Sequence, residues 1–141
     1  MDEAAITTYI TGTFAGVDVV VASGNSFFFH DPGKRLLKDH RFPFATLVTG
    51  DAYDPFSDLN RPGVFRLNVG VGKQTFQSLF GSVEGHDFTA LDRIMPHPVY
   101  GKMYWVCVLS PGATTFEAVK PLLAEAYERA ARRHAKPAEE S

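Results

Sequence analysis

Apolar positions recur at helical spacing near both ends of the chain. Close to the N-terminus this spacing predicts a helix over residues 2–15. Toward the C-terminus it predicts a longer helix over residues 114–133, where Thr114 followed by Glu117 has the form of a capping box. Pro121 lies inside this second helix and is expected to bend it, because proline lacks the N–H of a helical hydrogen bond.

Between these helices, short apolar segments bounded by turn residues predict five strands. They are residues 17–22, 26–30, 42–49, 63–69 and 105–109. In the fourth strand Arg66 and Asn68 alternate with apolar residues, which makes one face polar. The fifth strand is apolar at every position from Trp105 onward, which predicts burial on both faces. A short helix over 73–80 and one or two helical turns over 88–95 complete the prediction.

This order of elements predicts an α+β fold. We expect a single twisted, mostly antiparallel sheet of about five strands, with the N- and C-terminal helices packed on one face. A length of 141 residues predicts one domain, which we place at residues 1–135, followed by a frayed polar tail at 136–141.

Charge and cysteine content narrow the classes of function. The formal net charge is −2, whereas nucleic-acid-binding proteins usually carry a basic excess. The single cysteine, Cys107, excludes an internal disulfide and favours a reducing compartment, and its place in a core strand predicts a buried, inert thiol. Because no segment has the pattern of a signal peptide or a membrane span, we expect a soluble cytoplasmic protein without a membrane partner.

A histidine between two prolines is the first candidate for a functional residue. Pro96 and Pro98 restrict the backbone on both sides of His97, so its ring should leave a fixed point at the start of the Trp105 strand. There it could donate to an anionic ligand or act as a general acid or base, and Tyr100 could add a second polar group. Alternatively, its ring bonds a backbone carbonyl and holds its own loop.

The polar face of the fourth strand is the second candidate. On a concave face the guanidinium of Arg66 could clamp a carboxylate or phosphate, with Asn68 beside it. The alternative, which we favour for Arg61, is an ion pair with Asp54 or Asp58 that holds the preceding loop.

The acidic and glycine-rich segments offer weaker chemistry. The aspartates of residues 51–58 lack the spacing of an EF-hand and are explained by turn formation, and no histidine or cysteine spacing indicates zinc. We therefore expect neither a metal nor a cofactor. Residues 70–73 precede a helix and could bind phosphate, although the P-loop pattern is absent.

Two basic groups support a nucleic-acid alternative if the fold brings them to one face. The first group is Lys34, Arg35, Lys38 and Arg41. The second group is Arg129, Arg132 and Arg133, followed by His134 and Lys136. The second group also suits the negative end of a helix dipole, which needs no partner.

Two resemblances to known families extend this interpretation. The first rests on YWVCV at residues 104–108, the PG turn at 111–112 and LLAEAYE at 122–128. These segments resemble the C-terminal half of the MmcQ/YjbR-like family. The second rests on FFF at 27–29, RPGVFRLN at 61–68 and PHPVYG at 96–101. With these motifs the whole chain resembles a bacterial family known only as a domain of unknown function.

The first resemblance implies a compact α+β fold of the double-wing type, akin to bacterial frataxin. Some MmcQ/YjbR-like proteins are suspected of binding DNA, and the family supplies no established catalytic residues. Fold analogy alone does not settle function.

Three functions follow from these observations. We favour a non-catalytic binding module for a small polar or anionic ligand or a protein partner, using Arg66, Asn68, His97 and Tyr100. The first alternative is a nucleic-acid-binding double-wing domain that uses the two basic groups, and the net charge disfavours it. The second alternative is an enzyme with His97 as acid or base and Arg66 as an electrostatic anchor, although the sequence contains no complete catalytic set.

Overall fold

Six strands and three α-helices make up the part of the chain that the computed structural model describes, residues 1–34 and 41–140. The helices are α1 (Glu3–Thr13), α2 (Lys73–Leu79) and α3 (Ala113–Glu140). The strands are β1 (Val17–Ala22), β2 (Asn25–His30), β3 (Ala45–Val48), β4 (Arg66–Gly70), β5 (Ile94–Pro96) and β6 (Trp105–Leu109). Short 3₁₀ turns lie at Pro32–Lys34 and Gly101–Met103.

The strands form one sheet in the order β1-β2-β3-β4-β6-β5, and every neighbouring pair is antiparallel. The predicted α+β class, with its single antiparallel sheet and its N- and C-terminal helices, is confirmed. The sheet has six strands rather than about five, because β5 adds an edge strand beside β6.

The two faces of the sheet are covered differently. On one face all three helices contribute to the main core, where residues such as Ile10, Phe28 and Leu123 are fully buried. On the other face a smaller apolar cluster, which includes Cys107 and Leu59, lies between the strands and the loop of residues 49–65. The β6 strand contributes to both clusters, which confirms its predicted burial on both faces.

The region over residues 88–95 was predicted as helical, and that prediction is wrong. Ile94 and Met95 instead extend along β6, opposite Val108 and Cys107. Just before them Asp92 adopts a left-handed conformation with φ of 57°, which interrupts any regular helix. Cross-strand pairing with β6 decides this segment, and the local apolar spacing does not contain that information.

The C-terminal helix differs from its prediction at both ends. It begins at Ala113, so Thr114 lies inside the helix instead of capping it, and it continues across Pro121 to Glu140 instead of ending near residue 133. Asp92 on the preceding loop accepts a hydrogen bond from the Gly112 N–H at 2.7 Å, just before the helix begins. No helix in the described ranges combines the length and apolar composition that crossing a bilayer requires.

Candidate functional site

A cavity of about 500 Å³ opens on the sheet face opposite the helices. Its floor, as we use the term, consists of Thr46, Arg66, Asn68 and His97. Thr46 and Asn68 are cross-strand partners on β3 and β4, and alternation along β4 puts Arg66 on the same face. Apolar and aromatic side chains surround this polar floor. They are Phe27, Phe42, Pro43, Val48, Tyr53, Val99, Tyr100, Met103 and Trp105.

The four residues that the sequence suggested for a ligand site all line this cavity: Arg66, Asn68, His97 and Tyr100. The first two come from β4, and the last two come from the loop between β5 and β6. The rings of His97 and Tyr100 lie with their centroids 5.1 Å apart. Residues that are about 30 positions apart in sequence therefore meet in one site.

Arg66 is 1% exposed and clamps a carboxylate that belongs to the chain itself. Its Nη1 and Nη2 donate to the two carboxylate oxygens of Asp54 at 3.1 and 2.7 Å, and Nη1 also donates to Ser57 Oγ at 2.9 Å. Burial alone would raise the pKa of Asp54, but the hydrogen bonds and charge of Arg66 outweigh burial and lower it. Of the two roles that the sequence left open for Arg66, the structure shows the ion pair with Asp54 that holds the preceding loop.

Arg66 also orients the other polar groups of the floor. A guanidinium only donates, so Asn68 presents its Oδ1 to Arg66 Nε, at 3.0 Å. The amide nitrogen of Asn68 therefore faces the other way and donates to Thr46 Oγ1 at 2.9 Å. Thr46 acts as the acceptor in that bond, which leaves its own O–H to donate elsewhere.

His97 is held through its Nδ1 atom. Nδ1 accepts hydrogen bonds from the backbone N–H groups of Val99 and Tyr100, both at 3.0 Å. The backbone N–H of His97 donates to the Trp105 carbonyl at 2.9 Å, which anchors the loop to β6. The ring thus holds its own loop, as one of the sequence interpretations proposed, but it binds backbone N–H groups and not a carbonyl.

This arrangement sets the protonation state of His97. A nitrogen that accepts two N–H donors carries no proton, so the proton of the neutral ring is on Nε2. Burial, assisted by the positive charge of Arg66 and opposed by Asp54, lowers the pKa of His97 to about 4. At neutral pH His97 is therefore an uncharged ring with a fixed N–H donor.

The Nε2 atom of His97 points to the cavity. None of the described residues places an acceptor within hydrogen-bond distance of this atom, although His97 is only 4% exposed. Every fully buried side-chain nitrogen or oxygen in the described ranges has a partner, so Nε2 must touch open space, and the space that His97 lines is the cavity. The floor therefore presents, from a largely buried residue, an N–H donor that faces the cavity and is free to bind a ligand.

Trp105 forms a wall of the cavity because its cross-strand partner is glycine. Gly70 lies opposite Trp105 on β4, and a Cβ atom added there would be 3.0 Å from the indole ring. The indole can lie flat on the strand only where no side chain stands. The sequence analysis did not assign Gly70 this role in the wall of a cavity.

The two basic groups do not meet on one face among the described residues. Arg41 is paired with Asp18 at 2.6 Å and Asp31 at 2.9 Å, and its guanidinium lies over Phe29, on the face opposite the helices. Arg129, Arg132 and Arg133 are exposed on α3, across the sheet. Of the remaining predicted members, Arg35 and Lys38 lie outside the described residues, as does the side chain of Lys34.

The suggested phosphate position at residues 70–73 is filled by a carboxylate of the chain. Glu125 on α3 accepts hydrogen bonds from the Gly72 N–H at 2.6 Å and from the Thr75 hydroxyl at 2.5 Å, and its negative charge lies at the positive end of the α2 dipole. These contacts fix α2 to α3 and put a negative charge of the chain itself at the suggested phosphate position.

The aspartate-rich loop holds itself together, as expected for turn formation. Asp51 accepts from the Leu59 N–H at 2.8 Å, and Arg61 donates to the carbonyls of Ser57 and Thr89 at 3.0 and 2.9 Å. Arg61 also lies 3.7 Å from the carboxylate of Asp58, which confirms its predicted role in holding the loop. Within residues 1–34 and 41–140 no three histidine, cysteine or acidic side chains form a set that could bind a metal.

Cys107 is buried beneath the same loop. Its Sγ atom contacts the Pro96 carbonyl at 3.6 Å, and burial raises the pKa of the thiol to about 12. The predicted burial of this thiol is confirmed.

Sequence reasoning missed part of the site. It did not assign Phe27, Thr46 or Tyr53 to a ligand site, although all three line the cavity. Phe27 and Thr46 could have been found from alternation, since each neighbours a core residue on its strand and must point to the other face. Tyr53 lies on a loop, where no periodicity reveals its direction.

Comparison with known proteins places the chain in a family without assigning it an activity. No curated protein and no solved structure matches it. A family model described as a family of unknown function, DUF6194, matches residues 1–139, which confirms the expected whole-chain membership in such a family. The relation to the MmcQ/YjbR-like family stays a prediction. The chain therefore belongs to DUF6194, a family of unknown function.

Proposed function

We propose that this protein is a non-catalytic binding module that holds a small polar or anionic ligand in the cavity. The observation that carries the proposal is the unpartnered Nε2–H of buried His97 at the floor of a cavity with aromatic walls. Cavities of a few hundred cubic ångströms, mostly apolar and with a few fixed polar groups, are typical of small-molecule sites. The ligand would bind its polar end to the floor and lay its apolar part against the walls.

The mouth of the cavity supports the same proposal. Five of its side chains are large apolar or aromatic groups that are strongly exposed: Phe42, Tyr53, Val99, Tyr100 and Met103. We call these five residues the rim. Exposed apolar groups gathered at one opening, instead of scattered singly, indicate a surface that becomes covered in use.

Binding accounts for His97 better than catalysis does. As a general base His97 would need a free lone pair, but its only unprotonated nitrogen accepts two backbone hydrogen bonds. As a general acid it would give up the Nε2 proton from a ring that is already neutral. We therefore retain the enzyme only as an alternative.

A nucleic-acid-binding double-wing domain remains the other alternative. Arg41 is neutralised by two aspartates, and the α3 arginines lie across the sheet from it. These placements argue against a continuous basic surface and therefore favour the small-ligand proposal.

We also place the protein in the cytoplasm, where a single buried thiol is stable.

The test is a thermal-shift screen with a metabolite panel and a short DNA duplex. We expect a compound from the panel to raise the melting temperature, since a ligand of the folded state stabilises it by about 2.7 kcal/mol at 100 times its Kd. His97→Asn should abolish that shift while keeping an oxygen close to the position of Nδ1 for the loop. Arg132→Gln, an exposed change on α3, is the matched control and should preserve it.

Two outcomes would contradict the proposal. The first is a shift caused by DNA that fades with added salt and is lost in Arg132→Gln but not in His97→Asn, which would favour the nucleic-acid alternative. The second is a ligand shift that survives His97→Asn unchanged, which would place the site away from this floor.

A further inference from the structure

Building on the proposed function, we infer that the ligand presents an uncharged hydrogen-bond acceptor to the floor, such as an amide or ketone oxygen, carried on a flat aromatic body. The protein would therefore discriminate against the corresponding carboxylate.

The charges of the described residues that line the cavity balance. Arg66, the only cation among these residues, is neutralised by Asp54 through two hydrogen bonds of 3.1 and 2.7 Å, and His97 is a neutral ring at physiological pH. A carboxylate entering this cavity would lose its hydration and find no uncompensated positive charge. It would also approach the charge of Asp54, which lines the same cavity.

The free polar groups of the floor are donors. His97 offers Nε2–H, and the hydroxyl of Thr46 accepts a hydrogen bond from Asn68 but has no acceptor for its own proton among the described residues. Neutral donors of this kind satisfy a carbonyl oxygen fully without any charge to bury. A ligand whose polar end carried only hydrogen-bond donors would leave the Nε2–H of His97 and the hydroxyl proton of Thr46 unpaired.

The walls favour a flat apolar body. Aromatic side chains from separate parts of the chain meet at the cavity: Phe27, Phe42, Tyr53, Tyr100 and Trp105. Aromatic groups bind other rings by stacking or edge contacts, which adds to the area they bury. A cavity of about 500 Å³ accommodates one or two rings with a polar substituent.

A matched pair of probes, benzamide and benzoate, tests the inference because the two share size and shape and differ in charge. Both are titrated near neutral pH against the full chain, and the indole N–H signal of Trp105, the only tryptophan, is followed by ¹⁵N NMR. Sodium chloride at equal concentration controls for ionic strength. We expect the Kd of benzamide to be at least about tenfold lower than that of benzoate.

Two variants sharpen the comparison. His97→Asn should raise the Kd of benzamide about fivefold, which corresponds to the loss of one neutral hydrogen bond. Asp54→Asn keeps a hydrogen-bonding group beside Arg66 but removes the carboxylate that neutralises the guanidinium. This variant should therefore bind benzoate more tightly than benzamide. The wild-type comparison decides the inference even if the second variant fails to fold.

The outcomes separate this inference from the proposed function. Equal or tighter binding of benzoate by the wild type overturns the inference and leaves the binding module standing with an anionic ligand. Binding of neither probe also overturns the inference, and the proposed function is then judged by the panel screen alone. If the wild type binds benzamide more tightly than benzoate, and His97→Asn weakens the binding of benzamide, both the inference and the proposed function are supported.

Discussion

At the level of single residues, Arg66 organises the candidate site. It is one of the most deeply buried side chains, and three of its four hydrogen bonds join β4 to the loop of residues 49–65. Two of those bonds go to Asp54, twelve positions earlier in the chain. A charged residue in an apolar strand indicates in the sequence that Arg66 pairs with an acidic residue. Which aspartate it pairs with depends on how the loop folds, so the sequence narrows the partner only to Asp54 or Asp58.

The first prediction concerns this ion pair. Arg66→Met leaves the Asp54 carboxylate buried without a partner, and we expect a loss of about 3–5 kcal/mol in the free energy of unfolding, measured by urea denaturation followed by circular dichroism. Adding Asp54→Asn to that variant should recover part of the loss, because no unpaired charge then stays buried. Arg132→Met, the same replacement at an exposed position, is the control. A loss no larger than that of the control would contradict the structural role.

At the level of elements, predictions succeeded where the signal is local. Residues 17–22 and 105–109 were predicted with the observed bounds of β1 and β6, because short apolar segments bounded by turn residues specify them. The prediction for residues 88–95 failed because the partner strand of this segment, β6, lies later in the chain. The predicted start of α3 was wrong for a similar reason, since Asp92, which accepts a hydrogen bond from the Gly112 N–H, is twenty residues away.

The second prediction concerns α3. Pro121 is exposed and interior to this helix, where proline removes one backbone hydrogen bond. Pro121→Ala restores that bond and removes no core contact, so the free energy of unfolding should rise by about 1–3 kcal/mol. Urea denaturation measures the change, and a replacement that leaves stability unchanged or lowers it would mean that the proline ring stabilises the helix in another way.

At the level of the whole molecule, the sheet separates structure from the candidate function. One face is sealed by the three helices, whereas the other holds the loop of residues 49–65 at one side and the cavity at the other. The sequence predicted helices on one face, and that placement alone leaves the opposite face available. It could not predict the cavity itself, because part of the wall, including Tyr53 and Tyr100, comes from loops whose direction no periodicity records.

The last prediction concerns the stability of the whole molecule as a function of pH. His97 titrates near pH 6.5 in the unfolded chain, but burial lowers its pKa to about 4 in the folded protein. Between these values the unfolded state binds a proton that the folded state does not, so the folded protein loses stability as the pH falls. The full difference in pKa corresponds to roughly 3 kcal/mol.

Asp54 does not obscure this window. Because Arg66 lowers the pKa of Asp54 below its ordinary value of 3.8, the stability it contributes is lost only at still lower pH. Urea denaturation of the wild type from about pH 6.5 to about pH 4 should therefore show a decline that His97→Asn lacks. If stability falls with pH in parallel for the wild type and His97→Asn, His97 becomes protonated in the folded state. The assignment of His97 as a fixed neutral donor at the floor of the cavity would then be wrong.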